Sequence, residues 1–230
     1  MGMKSVEDLT IEVTARRSEL LERISAITDR SVKVIAVTKG HPPEVALASL
    51  GAGFVDLGEN YAQELVAKAD FVAQHAPEAE PRWHFVGRLQ SNKVRMLAPH
   101  VALWQTVDRG SVVRELARRV PGASVLCQVD LAGIPGRGGC DRDEVRSLVA
   151  AATDAGLDVR GLMGVGVPGD PAATSSAFEW LAHTVGELGL DELSIGMSGD
   201  LDLAVRAGAT MVRVGTDLFG PRPARHDQHG

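Results

Sequence analysis

Along the first thirty residues, apolar side chains recur at Val6, Leu9, Val13, Leu20, Ile24 and Ile27, with charged residues between them. Steps of three, four and seven place these residues on one stripe of a helix. The period then changes. Short β-branched runs at 33–38, 54–57, 83–86, 101–105, 124–129, 159–163, 193–195 and 211–214 alternate with stretches of helical period. In 143–155, for example, Val145, Leu148, Val149 and Ala152 share a face and Gly156 supplies a stop. Strand followed by helix, repeated to the end of the chain, is the pattern of a parallel sheet with its crossovers. Eight such strands predict a closed (β/α)8 TIM-type barrel, with the first segment packed outside it as an extra N-terminal helix. The alternative is an open doubly wound sheet, but no Gly-x-Gly-x-x-Gly turn follows the first strand.

The chain has 230 residues, near the ~250 of a one-domain βα barrel. Residues 1–223 therefore read as one domain. Residues 224–230 are polar and without period and read as a disordered tail, so His226 and His229 are not taken as a metal site. Apolar residues are 44% and charged residues 23% of the chain, enough to bury a core without disulfides or metals. No apolar run approaches the ~18 residues of a membrane span, and Met1 to Val6 contain neither a signal core nor a myristoylation motif. A cytoplasmic, membrane-free protein is expected. Cys127 and Cys140 lack Cys-x-x-Cys spacing and read as reduced thiols. A net charge of -6 with scattered Lys and Arg sets up no field for phosphate backbones, so nucleic acid is not an expected partner.

In a βα barrel the chemistry sits at the C-terminal ends of the strands. Lys39 follows the apolar run 34–38 there. An amine at such a rim has its charged form disfavoured by desolvation and becomes nucleophilic toward an aldehyde. The plainer reading is a lysine that reaches solvent or pairs with Glu59. At the far end, Ser194-Ile195-Gly196-Met197-Ser198-Gly199-Asp200 closes strand seven and Val214-Gly215-Thr216 closes strand eight. Loops after these strands commonly bind phosphate. Glycines admit close backbone approach, and Ser198 and Thr216 add hydroxyl donors. Ser198 also reads as the N-cap of a helix over 201–207. Alternation in Met211-Val212-Arg213-Val214 turns Arg213 into the barrel if the valines meet the helices. Its guanidinium then needs a carboxylate or a ligand atom as acceptor.

Val37-Thr38-Lys39, Gly58-Glu59-Asn60-Tyr61, the block 83–93 beginning Trp83-His84-Phe85-Val86-Gly87-Arg88, Arg160-Gly161-Leu162-Met163, Leu193-Ser194-Ile195-Gly196-Met197-Ser198 and the block 211–220 together resemble the pyridoxal phosphate homeostasis proteins of the YggS/PROSC type. The resemblance runs in unbroken order over 32–222. It implies a barrel like the N-terminal one of alanine racemase, with pyridoxal 5′-phosphate (PLP) as a Schiff base on Lys39. Phosphate contacts would fall to Ser198, Gly215 and Thr216, the pyridine nitrogen to Arg213, and a nearby contact to Asn60. Facing that nitrogen, Arg213 would keep it unprotonated and weaken the ring as an electron sink. The family implies a monomer that buffers or delivers the cofactor, with PLP-dependent apoenzymes as recipients and no established reaction.

Three departures from the family pattern stand out. The loop after strand five runs Val129-Asp130-Leu131 and then Pro135-Gly136-Arg137-Gly138-Gly139; Gly199 stands where an Asp is usual; and Leu162-Met163-Gly164-Val165-Gly166 is glycine-rich. His84 reads as a core hydrogen-bonding residue or a cofactor contact, with the core reading preferred. Trp83, Phe85, Trp104 and Trp180 read as packing residues, Lys93 as a solvated or phosphate-proximal cation, and Asp141, Asp143 and Glu144 as a helix N-terminus. The competing functions are an amino-acid racemase, which needs a base on each face of the substrate carbon, and a Schiff-base aldolase. The racemases that resemble this barrel bring the second base from a further β domain, and none is seen before Gly230.

Overall fold

Ser5 opens the first helix, α1 (Val6–Ser25), with a reciprocal cap in which its side chain accepts from the Asp8 amide while Asp8 accepts from the Ser5 amide. Val13, Leu20 and Ile24 form its buried stripe, and Ile27 of the expected pattern lies just beyond the helix. The structure, a computed structural model, describes residues 4–134, 136 and 138–221. The expected tail at 224–230 lies outside the described residues.

After α1 come β1 (Lys33–Val37), α2 (Glu44–Gly51), β2 (Asp56–Glu59), α3 (Ala62–His75), β3 (Arg82–Phe85), α4 (Val94–Leu97), β4 (Val101–Val107), α5 (Gly110–Arg119), β5 (Ser124–Val129), α6 (Val145–Asp154), β6 (Asp158–Gly164), α7 (Pro171–Glu187), β7 (Glu192–Ser194), α8 (Leu201–Ala207), β8 (Met211–Val214) and α9 (Thr216–Phe219). The strands pair in sequence order, all parallel, and β8 closes on β1 with Lys33 opposite Met211 and Ala36 opposite Val214. The protein is a (β/α)8 barrel with an extra N-terminal helix. Among the described residues, no helix is long and apolar enough to cross a membrane.

Alternation along the strands builds two cores. Val34 and Ala36 of β1, and Val212 and Val214 of β8, pack outward against the helices. Ile35, Val37 and Met211 point into the lumen with Val86, Leu103, Leu126 and Met163. Trp83, Phe85 and Trp104 are buried in the outer layer, as packing residues should be. Trp180 is only partly buried and lies under the Arg142 guanidinium, 4.8 Å from its ring centroid.

The second strand differs from its expected bounds. Phe54 is buried in the outer core, but its amide donates to Ser49 O at 3.0 Å in the turn that ends α2. The strand begins two residues later, among polar residues that are buried without being apolar. Two of the helices that follow strands are also shorter than the repeating pattern suggests. A 3-10 turn (Ser91–Lys93) and the one-turn α4 follow β3, and the one-turn α9 follows β8.

Candidate functional site

A cavity of about 500 Å3 opens at the C-terminal end of the barrel, within the roughly 300–1,000 Å3 of small-molecule sites. Lys39, Asn60, Ser198, Arg213, Gly215 and Thr216 all line it, together with Gly199 and the apolar Val37, Val86, Met163, Val165 and Met197. All six residues singled out from sequence therefore meet at one place. Lys93 does not. It lies with Arg88 in a neighbouring hollow, which shares Asn60 with the main cavity.

The backbone on both sides of Lys39 is clamped by a buried charged cluster. Lys68, on the inward face of α3, donates to Thr38 O at 2.7 Å and pairs with Glu59. Glu59 also accepts from Thr38 Oγ1 at 2.7 Å and from the Asn60 amide at 3.1 Å. Glu64 accepts from the Gly40 amide at 2.7 Å and lies 3.6 Å from Lys68. Burial pushes the Glu59 carboxyl above its usual range, against the pull of Lys68. Glu59, weighed from sequence as a partner for Lys39, is thus engaged by Lys68.

Arg213 projects into the lumen and is 5% exposed. Its acceptors among the described residues are main-chain and hydroxyl oxygens, not the carboxylate that was one of the two expectations from sequence. Nη1 donates to Ser194 O at 2.8 Å and Ser194 Oγ at 2.6 Å, and Nη2 donates to Gly164 O at 2.8 Å. Parallel strands leave carbonyls at their C-terminal ends, and the short β7 and the end of β6 offer theirs to the guanidinium. Burial lowers its pKa to about 10, opposed by Asp200, so the group stays cationic at neutral pH.

The loops after β7 and β8 are tied together at Ser198, whose hydroxyl accepts from the Asp217 amide at 3.2 Å. Ser198 is not the N-cap of α8. That position belongs to Asp200, whose carboxylate turns back to accept from the Met197 amide at 2.6 Å. A carboxylate one residue along thus braces the loop in which Gly199 replaces the family's Asp. Gly215 brings β8 against β1, and a Cβ there would stand 2.9 Å from Val37 O. At the end of the neighbouring β2, Asn60 Oδ1 is buried with no hydrogen-bond partner among the described residues.

His84 is in the core, as preferred from sequence. It is 2% exposed, its Nε2 faces Asp56 Oδ1 at 2.9 Å, and Gln105 Nε2 donates to its Nδ1 at 2.8 Å. Burial holds the imidazole below its ordinary pKa, against the attraction of Asp56. The divergent loop after β5 folds back on its own strand, with the Asp130 amide donating to Cys140 O at 2.9 Å. Asp130, Leu131, Ala132 and Gly138 of this loop line a separate small hollow, and Gly133, Ile134, Gly136 and Gly139 line a wider one that includes Arg88. Glycine at the end of β6 has a packing cause, since a Cβ on Gly164 would meet Leu131 Cδ1 at 2.5 Å. Cys127 and Cys140 are free and buried, and burial pushes both thiols up to about 12. Asp141 begins the 3-10 turn (Arg142–Glu144) that leads into α6. No cluster of potential metal ligands occurs among the described residues.

Sequence reasoning missed Lys68 and Gln105. Lys68 had a visible signal: it interrupts the apolar stripe Ala62, Leu65 and Val72 of α3, where a lysine must find a buried partner. Gln105 left only a faint one, an amide inside an apolar strand.

The alanine racemase N-terminal domain model matches residues 17–223, so the chain belongs to that family of barrel domains. Alanine racemase of Streptomyces coelicolor has this fold, with a TM-score of 0.70 at 23% identity over 95% of this chain and 59% of its own. More specifically, the chain belongs to the pyridoxal phosphate homeostasis protein family. The protein of that name from Vibrio cholerae is 35% identical over 232 residues, covering 96% of this chain and 98% of its own. PipY of Synechococcus elongatus, solved with PLP bound, is 32% identical with a TM-score of 0.79, covering 90% of this chain and 100% of its own.

Proposed function

We propose that residues 1–223 form one domain that binds PLP in the cavity at the C-terminal end of the barrel and holds it covalently on Lys39 as an intracellular reserve. The observation that carries this reading is the cavity itself. One amine from the first strand faces the same space as the hydroxyl- and glycine-bearing loops after the last two strands, with a buried arginine lining it. The residues fit the cofactor. Apolar side chains can flank a flat ring, Ser198, Thr216 and nearby amides can donate to phosphate, and Arg213 supplies a permanent cation. The orphaned Asn60 Oδ1 is an acceptor that waits for a donor.

When bound, PLP supplies an aldehyde that condenses with the Lys39 amine, forming a carbon–nitrogen double bond and releasing water. The chain's own contribution is holding and orienting. The Glu59, Glu64 and Lys68 cluster fixes the backbone that carries Lys39, and Arg213 keeps a cation beside the ring. Of the described residues lining the cavity, only Lys39 carries a side chain suited to move a proton from a substrate carbon. Racemisation needs such a group on both faces, which favours a carrier over an enzyme. We take the carrier to be a cytoplasmic monomer whose recipients are PLP-dependent apoenzymes, with no nucleic-acid or membrane partner.

Protein incubated with PLP should turn yellow, and borohydride should fix the chromophore to the peptide containing Lys39. Failure to load, or labelling elsewhere, overturns the reading. Loaded protein mixed with L-alanine in deuterated water should exchange no α-proton, and rapid exchange would make it an enzyme. Elution at the mass of one chain in gel filtration tests the monomer.

A further inference from the structure

A continuous polar path crosses the lumen below the cavity. Arg213 Nη1 donates to Ser194 Oγ at 2.6 Å, and Ser194 Oγ donates to Gln105 Oε1 at 2.6 Å. The other end of that amide, Nε2, donates to His84 Nδ1 at 2.8 Å, and His84 Nε2 donates to Asp56 Oδ1 at 2.9 Å. Arg82, the register partner of Asp56 at the start of β3, donates to the second oxygen of Asp56 at 2.8 Å. The path draws in turn on β8, β7, β4, β3 and β2 and runs from one wall of the lumen to the other. Ser194, Gln105 and His84 are 0%, 0% and 2% exposed, so none can exchange its partner for bulk water.

The two ends fix the direction of every link between them. A guanidinium only donates and an ionised carboxylate only accepts. With one proton on Ser194 and one on a neutral His84, a single arrangement satisfies all the links. The second amide proton of Gln105 is directed at Met211 Sδ, 3.6 Å away. A reversed amide, the other imidazole tautomer or a doubly protonated ring would set two donors or two acceptors face to face in a buried site. The charged groups acting on His84 are Asp56 beside it and, with opposite sign, Lys33 and Arg82; burial outweighs them and keeps the ring neutral.

We infer that Gln105 and His84 are positioning residues for Arg213: through Ser194 they fix the guanidinium and so set how it meets the ring nitrogen of PLP. The inference rests on the PLP reading above. Neither residue lines the cavity, so neither is a cofactor contact.

The test uses the full chain loaded with PLP. Gln105→Met keeps the side-chain length and removes both polar ends. Borohydride should still fix PLP at Lys39 in this variant. Cofactor loss on dialysis should quicken about tenfold, the scale expected when an outer partner of a ligand-holding residue is removed. Gln105→Glu can still accept from Ser194 while His84 takes a second proton, and it should bring the rate back to within about twofold of wild type. In an Arg213→Ala background, Gln105→Met should change the rate by less than about twofold, because the residue it acts through is gone. An undiminished effect there, no effect in the wild-type background, or no rescue by Gln105→Glu overturns the inference. If even the wild-type chain fails to load at Lys39, the PLP reading falls instead. The nitrogen-15 spectrum of the histidine rings then decides the path by itself, and does so too if Gln105→Met does not fold. A protonated Nε2 and bare Nδ1 on His84 at neutral pH are expected, and the other tautomer or a cationic ring overturns the inference.

Discussion

Beneath Lys39 the polar groups come from residues 38–68, one stretch running from the end of β1 through α2 and β2 into α3, and are mostly ions: the buried Glu59 and Lys68 and the half-buried Glu64 around the Thr38 and Gly40 backbone. Beneath Arg213 they come from Asp56, His84, Gln105 and Ser194, on four different strands, and the links between the ends are neutral. The first assembly holds a stretch of main chain, and the second holds the orientation of one side chain. Removing one member of a buried ion cluster strands a charge. Removing one link of a neutral path strands a single dipole. The same barrel thus secures one pole of its cavity through stability and the other through alignment.

The harshest way to break this contrast is Lys68→Met, which leaves Glu59 buried without its cation. It should cost about 3–5 kcal/mol of folding stability, read as a lower urea midpoint, and adding Glu59→Gln should recover part of the loss. A midpoint unchanged by Lys68→Met would mean that the cluster is not structural. Arg213→Ala should leave the barrel folded but speed PLP loss by about 10- to 100-fold, the worth of a charge-assisted hydrogen bond. Retention equal to wild type would remove Arg213 from the cofactor site.

Acid sharpens the comparison. The folded pKa of His84 lies below its ordinary 6.5, so the unfolded chain binds that proton more readily. This term is favourable above 6.5 and is lost as pH falls below 6.5 through the lowered folded value. Glu59 is shifted the other way, with its folded pKa raised above 4.5, so its charged form weighs against folding at neutral pH and the cost is relieved as pH falls through the raised value. The difference between wild type and His84→Gln, followed by urea midpoints from pH about 7 to 5, isolates the histidine. The variant should lose less stability over that range, and identical profiles would contradict a buried neutral His84. The smallest effect is expected from Ser198→Ala, which removes one partly exposed link between the last two loops. PLP should dissociate about two- to tenfold faster with little change in melting, and wild-type retention would show that Ser198 does not touch the phosphate.

The barrel was legible from period alone because its strands sit between helices that declare themselves by apolar stripes. The second strand was misplaced because apolar Phe54 looks like a strand residue while the true strand, Asp56–Glu59, buries a carboxylate at either end. Lys39, Ser198 and Arg213 were legible because strand ends and loop glycines locate a barrel's working face. Asn60 came from family resemblance. The acceptors of Arg213 were illegible, since Gly164 O and Ser194 O are main-chain atoms supplied by geometry and no residue type announces them. Gln105 was hidden for a related reason: its partners lie 21 residues before it and 89 after it.

The contact between Gly215 and Val37 marks the joint where the first strand of the barrel meets the last. Outside that joint, α1 acts as a strap, with Arg16 reaching Leu218 O at 2.8 Å and Arg23 reaching Asp202 at 2.7 Å. Inside it, any guest that touches both Lys39 and Thr216 becomes a second fastening. Opening the barrel at this seam would have to undo both, so a chain with a full cavity should resist proteases along its first and last strands more than along its middle ones.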